Sequence, residues 1–172
     1  FRGLDLSFMS RRVKPILVVS LAPNGPSTFL EPSFDGLGSR VLFMDKIRRN
    51  YQDIAPSGPT YSRLVRSGNL VFIAGCTARG TDGQGKPMID QLDITLDRIV
   101  RIVEAEGVSP QDITKITTYL TRMSDWNAYY EEQQTLFESY FKGAYPANTL
   151  VEIMALAEPG LDVEIEAIAV ID

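Results

Sequence analysis

The sequence contains no histidine, and this absence excludes more chemistry than any other feature of its composition. Without an imidazole the chain has no Ser-His-Asp or Cys-His nucleophile pair, no His-Glu-x-x-His zinc site and no histidine general base. A single cysteine, Cys76, cannot close a disulfide within the chain or form a multi-cysteine zinc or iron–sulfur site. Any reaction must therefore use carboxylates, hydroxyls, amides, backbone groups, lysine, arginine or one thiol.

Basic residues are too few for a nucleic-acid-binding surface. The chain has 17 basic and 22 acidic residues among its 172, a net charge of −5. The acidic excess lies in residues 44–172, which hold 12 basic and 19 acidic residues. Because binding to phosphates requires a basic surface, we expect no nucleic-acid partner.

The sequence also lacks a run of apolar residues long enough for a membrane span, which needs about 20 residues. In residues 1–43 the one apolar run covers residues 16–22. This segment has four prolines and no sustained periodicity, so we expect a poorly ordered extension, with a signal peptide as the alternative. Residues 44–172 are predicted to form the folded domain.

The pattern of residues 44–120 predicts strands, then a helix, then a strand. Residues 46–51, 61–66 and 70–74 are predicted strands, and a hairpin turn at residues 67–69 joins the last two. Before Gly107, apolar residues recur at intervals of three or four positions and would lie on one face of a helix. We therefore expect a helix that ends before Gly107. Residues 109–112 predict a helical first turn, and residues 113–120 predict a strand.

The rest of the chain predicts a second helix and two more strands. The helix begins at residue 124 or 125, and its stripe of large residues is expected to face the core: Trp126, Tyr129, Tyr130, Gln133, Leu136, Phe137, Tyr140 and Phe141. Residues 149–156 and 161–171 are the predicted final strands. This order indicates an α+β fold with two helices on one face of a mixed sheet.

The last predicted strand has one apolar face and one mixed face. Side chains alternate along a strand, so Asp162, Glu164 and Glu166 share a face with Ile168 and Val170. At the boundary between the acidic and apolar parts, a carboxylate is predicted to be partly buried, with a raised pKa. The alternative is a solvated strand end.

Several motifs, in this order along the chain, resemble the RidA (YjgF) family. They are GPTYS at residues 58–62, GNLVFIAG at 68–75, DITK at 112–115, LTRMSDW at 120–126, YPANTLVE at 145–152 and VEIEAIAV at 163–170. Together they cover nearly all of residues 44–172. The resemblance says nothing about residues 1–43.

The resemblance implies a chorismate-mutase-like α+β fold, assembled as a homotrimer with clefts at the subunit interfaces. It implies a hydrolase that converts reactive imines and enamines, such as 2-aminoacrylate, into a keto acid and ammonia, without a metal or organic cofactor. Imines are already electrophilic, so the protein need only hold the substrate, place a water and stabilise charge. The expected partners are a small-molecule substrate and further copies of the chain. We expect the protein in the cytoplasm, without a membrane partner.

The resemblance also assigns site residues. Glu164 matches the glutamate that positions water or the substrate nitrogen, Tyr61 matches the family's tyrosine and Gly75 matches its glycine. Thr149 matches a small hydroxyl residue. Cys76 occupies a position where many members have a polar amide or hydroxyl residue.

The arginine that binds the substrate carboxylate in this family is replaced by Asn148. An uncharged amide cannot reproduce the two charge-assisted hydrogen bonds of a guanidinium, a loss of about 1.5–3 kcal/mol. Either the substrate has no carboxylate at this point or another cation binds it. Arg79, four residues past Gly75, is the nearest candidate in sequence, and an exposed loop arginine is its alternative role.

Three classes of function therefore stay open. We favour an imine or enamine deaminase with altered substrate choice. The alternatives are a non-catalytic trimer that binds a small metabolite in the same clefts, and a protein-interaction or chaperone-like role. Ribonuclease activity is ascribed to some relatives, but the acidic net charge disfavours it. We expect Cys76 to be a small buried hydrophobe, and a reactive thiol is the alternative.

Overall fold

The computed structural model describes residues 45–171, in which six strands form one mixed sheet. The strands are Lys46–Arg49 (β1), Leu64–Ser67 (β2), Leu70–Cys76 (β3), Ile113–Leu120 (β4), Ala147–Glu152 (β5) and Val163–Val170 (β6). They lie in the order β1-β2-β3-β6-β4-β5. Neighbours are antiparallel except β4 and β5, which run parallel. The predictions for residues 1–43 lie outside the described residues.

Three α-helices accompany the sheet: Met88–Ala105 (α1), Met123–Ala128 (α2) and Tyr130–Phe141 (α3). The apolar side of α1 packs against β3 and β6 and forms the core with their inward side chains. Its most deeply buried apolar residues are Leu92, Leu96, Ile99, Ile102 and Val103. Within residues 45–171, no helix combines the length and the apolar character that a membrane crossing needs.

Several predicted elements are confirmed. The strand at residues 113–120 is β4, and the hairpin turn between β2 and β3 contains Gly68 with a φ of +63°. A short 3-10 helix, Pro110–Asp112, precedes β4. The Ser109 side chain accepts a hydrogen bond from the Gln111 amide (3.3 Å), and the Asp112 carboxylate accepts one from the Ser109 amide (3.1 Å). The α+β class is confirmed as well.

The prediction of two helices was wrong, because the second predicted helix is divided into α2 and α3. Tyr129, with φ −104° and ψ 33°, leaves helical geometry between them. The helical spacing of 3.6 residues per turn therefore does not continue from α2 into α3. Phe141 is fully buried, as expected, but Tyr130 is 65% exposed and does not face the core.

Two predicted strands differ from the structure by three residues or more at one end. The strand expected at residues 61–66 begins at Leu64, so Tyr61 lies in the preceding loop. The strand expected at residues 149–156 is Ala147–Glu152, because its parallel pairing with β4 runs from Lys115 to Leu120. The first of these shifts matters for the site, since it leaves Tyr61 free of the sheet.

The sheet has a helix-covered face and an open face, and β6 shows both. Val163, Ile165, Ala167 and Ala169 are buried on the helix-covered face. Glu164, Glu166, Ile168 and Val170 alternate with them on the open face, which confirms the predicted division of this strand. A bulge in β3, between Ile73 and Cys76, changes the register against β6 close to Glu164.

Candidate functional site

A cavity of about 710 Å³ lies where β3 ends. Its walls come from the loop before β2, the end of β3, one side chain of α1 and the start of β6. Five of the seven residues predicted for the site line it: Tyr61, Gly75, Cys76, Arg79 and Glu164. Two arginines that the sequence analysis did not identify line it too, Arg63 and Arg98.

The Glu164 carboxylate lies directly against the backbone of Gly75. A Cβ atom at position 75 would be 1.8 Å from Glu164 Oε1 and 2.6 Å from Glu164 Cδ, closer than real Cβ contacts. Only glycine therefore admits this approach. The bulge in β3 and the absence of a side chain together give the carboxylate a fixed place in the cavity.

Burial raises the pKa of Glu164 above its ordinary value. Desolvation is the main cause, and the negative charge of Glu166 adds to it, while the positive charge of Arg63 acts in the opposite direction. This agrees with the raised pKa predicted from the strand pattern. A raised pKa brings a carboxyl group closer to the range in which it exchanges protons efficiently near neutral pH.

The raised pKa predicts how Glu164 affects stability. The folded state binds this proton more tightly than the unfolded state, so stability falls as pH rises from the unfolded pKa through the higher folded pKa. At neutral pH we therefore expect Glu164→Gln to unfold at the same temperature as the parent chain or higher. Thermal unfolding at acidic and neutral pH measures this. A lower unfolding temperature of the variant at neutral pH would show that the charge is stabilising.

Arg63 holds the cavity walls together. It is 5% exposed. Its Nε donates to Ala55 O (2.9 Å), Nη2 to Pro56 O (2.6 Å) and Nη1 to Gly75 O (2.5 Å). These bonds tie the loop before β2 to the end of β3, so the guanidinium fixes the backbone beside Glu164.

Arg63 also positions Tyr61. Nη2 of Arg63 donates to the Tyr61 hydroxyl oxygen (3.0 Å), and the guanidinium carbon lies 5.2 Å from the ring centroid. The ring lies on Gly58, where a Cβ atom would be 2.9 Å from Tyr61 Cε1. Because the hydroxyl oxygen accepts from Arg63, its own proton is free to point to a bound molecule.

Arg98 projects from α1 to the cavity and is 8% exposed. Its Nη1 donates to Thr77 O, and burial lowers its pKa. The sequence carried a signal for it, since Gln91, Thr95 and Arg98 are spaced by four and three residues, as on one side of a helix. All three are buried.

Cys76 is a buried residue, as predicted. It is 1% exposed, and burial raises the pKa of its thiol to about 11, although the charges of Arg63 and Arg98 act to lower it. A thiol with this pKa is almost entirely protonated at neutral pH. The alternative of a reactive thiolate is therefore disfavoured.

Arg79 lies at the cavity, but its charge is compensated. Its Nη2 forms an ion pair with Glu158 Oε1 at 2.5 Å, and its side chain is largely exposed. Arg79 therefore has the exposed position that was given as its alternative role, and a substrate carboxylate would compete with Glu158 for it.

Asn148 and Thr149 do not line this cavity within one chain. Asn148 Oδ1 accepts from Thr118 Oγ1 (3.0 Å) on the helix-covered side, beside Trp126 and Phe137. Thr149 Oγ1 accepts from Lys115 Nζ (2.9 Å). Both belong to β5, two strands away from β6.

Comparison with known proteins identifies relatives of the chain. The family described as Endoribonuclease L-PSP matches residues 52–171. A RutC family protein from Pyrococcus horikoshii is 37% identical over 120 residues, covering 66% of this chain and 88% of the relative. The 2-iminobutanoate/2-iminopropanoate deaminase of Mus musculus is 31% identical over 119 residues, covering 67% and 84%.

A solved structure supports the same assignment. RidA from an Antarctic Psychrobacter species is 29% identical, with a TM-score of 0.61, covering 73% of this chain and all of the other. The sequence motifs and the mixed sheet thus have a common explanation. The chain belongs to the Endoribonuclease L-PSP family, the group that contains RidA and YjgF.

Proposed function

We propose that this protein hydrolyses reactive imines or enamines derived from 2-amino acids to a keto acid and ammonia. The observation that carries the proposal is the Glu164 carboxylate, held against Gly75 inside the cavity beside Tyr61. The family to which the chain belongs includes deaminases of 2-imino acids, such as the mouse relative. The resemblance assigned the same three residues to the reaction.

In the proposed reaction Glu164 acts on water. The carboxylate accepts a proton from a water molecule while the water oxygen forms a bond with the imine carbon. Glu164 gives this proton to the imine nitrogen, which yields a carbinolamine. A proton then moves from the hydroxyl group, through the Glu164 carboxylate, to the amino nitrogen. The carbon–nitrogen bond breaks, ammonia leaves, and the carbonyl of the keto acid forms. A carboxyl group with a raised pKa suits both proton transfers.

The fixed groups around Glu164 suit this chemistry. Arg63 stabilises negative charge in the cavity and holds Tyr61 in place, so neither group has to reorganise during the reaction. The hydroxyl proton of Tyr61 is available to the substrate nitrogen or to the attacking water. The chain's own residues therefore supply positioning, proton transfer and charge stabilisation.

We further propose a homotrimer, in agreement with the resemblance. The open face of the sheet carries Leu70 and Phe72, which are 38% and 40% exposed in the single chain. Ile168 and Val170 lie opposite them on β6. A contiguous apolar surface of this kind is typical of an interface between subunits.

The trimer predicts a specific effect of charge on this face. We expect residues 44–172 to sediment as a trimer, and Phe72→Glu to shift the protein to smaller species, because a carboxylate would be buried between subunits. Met154→Glu is the matched control, since Met154 is fully exposed in a loop. A folded monomer as the main species of the parent chain would contradict the proposal.

Asn148 and Thr149 lie on β5, apart from the cavity that Glu164 lines in the same chain. A substrate would contact them only if the cavity of a neighbouring subunit lies against β5. The assignment of a substrate-binding role to both residues depends on the trimer.

The proposed function is tested with imines generated in the assay from a panel of 2-amino acids by an amino-acid oxidase, with ammonia release as the readout. We expect release that is faster than in buffer and proportional to protein concentration. Uniform rates with and without the protein would contradict hydrolysis. If the same molecules bind without being hydrolysed, the non-catalytic metabolite-binding trimer is the better description.

A further inference from the structure

Arg98 is a buried cation that has no anionic partner among residues 45–171. It is 8% exposed, and within residues 45–171 its guanidinium forms no ion pair with a carboxylate. One nitrogen, Nη1, donates to Thr77 O. No fully buried side-chain nitrogen in this part of the chain lacks a partner, so the nitrogens of Arg98 that form no hydrogen bond here keep some accessible surface. Arg98 is one of the residues that line the cavity.

The other two arginines of the cavity differ from Arg98. Backbone carbonyls of Ala55, Pro56 and Gly75 occupy the N–H groups of Arg63. Glu158 is the ion-pair partner of Arg79. Among the arginines that line the cavity, Arg98 therefore has the donors that are available to a ligand.

The charges of the cavity favour an anionic ligand. Arg63 and Arg98 are both buried, and Glu164 is the acidic residue that lines the cavity with them. Even with Glu164 ionised, the buried groups carry an excess of one positive charge. A buried charge without a partner is unfavourable, so a bound monoanion would restore the balance.

The walls of the cavity indicate the rest of the ligand. Pro56, Pro59, Ala157 and Leu161 contribute apolar surface. The volume of about 710 Å³ is typical of a small-molecule site and exceeds what the smallest imino acids fill. An aliphatic side chain on the ligand would occupy this apolar part.

We propose that Arg98 binds the carboxylate of a 2-imino acid with an aliphatic side chain, through two N–H groups of its planar guanidinium. The identity of the imino acid rests on the proposed function, whereas the anion site rests on the cavity alone. Arg98 thus supplies, from α1, the positive charge that Asn148 lacks. A planar guanidinium suits a carboxylate because two parallel hydrogen bonds form.

The site is tested by equilibrium binding of an unreactive product-like molecule. We use 4-methyl-2-oxopentanoate as the probe and its methyl ester as the uncharged control, measured by isothermal titration calorimetry at low salt. The parent chain is expected to bind the acid at least tenfold more tightly than the ester, a difference of about 1.4 kcal/mol. Equal affinity for acid and ester, or no binding of the acid at millimolar concentration, would overturn the proposal.

Variants of α1 assign the charge to one residue. Arg98→Gln is expected to weaken binding of the acid at least tenfold and to leave the ester unchanged. Arg101→Gln is the matched control, because Arg101 lies on the same helix, is exposed and pairs with Asp97. If Arg98→Gln binds the acid as the parent chain does, or if Arg101→Gln weakens it equally, Arg98 is not the anion site.

Thermal unfolding of each variant shows whether the fold is kept. If Arg98→Gln does not fold, Arg98→Lys replaces it, since lysine keeps the charge but not the paired N–H groups. We expect Arg98→Lys to bind the acid more tightly than the ester, but by a smaller factor than the parent chain does. If the variant binds the acid as tightly as the parent chain, two parallel hydrogen bonds from the guanidinium are not needed. Acid binding without any ammonia release from imines would leave the anion site intact and contradict only the proposed function.

Discussion

Replacing Glu164 by glutamine is expected to reduce imine hydrolysis by roughly 100- to 10,000-fold, the contribution of a positioned acid or base. Glutamine keeps the shape of the side chain and its contact with Gly75, but it cannot accept the proton of the attacking water. The variant should still fold, because it removes a partly desolvated charge. The loss should therefore appear in kcat and not in the unfolding temperature. Steady-state ammonia release on the best substrate of the panel measures it.

Glu166→Gln is the matched control for this substitution. Glu166 lies two residues further along the same face of β6 but is exposed and does not line the cavity. Its charge is a lesser cause of the raised pKa of Glu164 than burial is. We therefore expect its loss to change the rate by less than a factor of about three, because an exposed charge is screened by solvent. Equal rates for Glu164→Gln and the parent chain would show that Glu164 is an ordinary edge carboxylate.

Gly75→Ala is expected to reduce turnover by about 100-fold without removing a reacting group. The added methyl would occupy the position of the Glu164 carboxylate, since the ideal Cβ lies 1.8 Å from Oε1. The carboxylate must then move by more than 1 Å, and displacements of this size cost about two orders of magnitude in rate. Ammonia release and thermal unfolding, measured on the same preparation, separate this effect from misfolding.

A double variant tests whether the two residues act through one interaction. If Gly75 acts only by placing Glu164, adding Gly75→Ala to Glu164→Gln should lower the rate little further. Multiplication of the two separate losses would mean that Gly75 contributes in another way, for example through its backbone. Wild-type turnover by Gly75→Ala alone would contradict the geometry described for the site.

The sequence predicted the acidic part of the site better than the cationic part. Alternation along the last strand predicted a partly buried carboxylate near the boundary between acidic and apolar residues, and that pattern requires only local geometry. The resemblance to the RidA family then assigned the role to Glu164. Tyr61 and Gly75 were found through the resemblance to the RidA family. That they line one cavity with Glu164 depends on the β3–β6 pairing and the β3 bulge, which no local pattern encodes.

Arg63 and Arg98 were missed because an arginine is normally read as exposed. A buried guanidinium is stable only when backbone carbonyls or a ligand satisfy it, and those partners come from distant parts of the chain. Arg63 bonds to Ala55 and Gly75, on different sides of β2. The break at Tyr129 was missed for a related reason, since periodicity assumes that a helix continues.

The cavity changes how we interpret the replacement of the family arginine by Asn148. From sequence it indicated a lost carboxylate-binding group, with Arg79 as the nearest substitute. The structure pairs Arg79 with Glu158 and directs attention to Arg98 on α1. Asn148 on β5 thus lacks the positive charge of the family arginine, whereas Arg98 on α1 supplies a buried positive charge. We base the proposed substrate class on Arg98.

The proposed hydrolysis of imino acids by Glu164 is tested most directly by the rate of imine disappearance in the presence of catalytic amounts of protein. A single imine, that of 2-amino-4-methylpentanoate, is followed in buffer, with the parent chain and with Glu164→Gln. We expect a rate that rises with the concentration of the parent chain and returns close to the buffer rate with the variant. The same rate in all three samples would contradict the proposed hydrolysis.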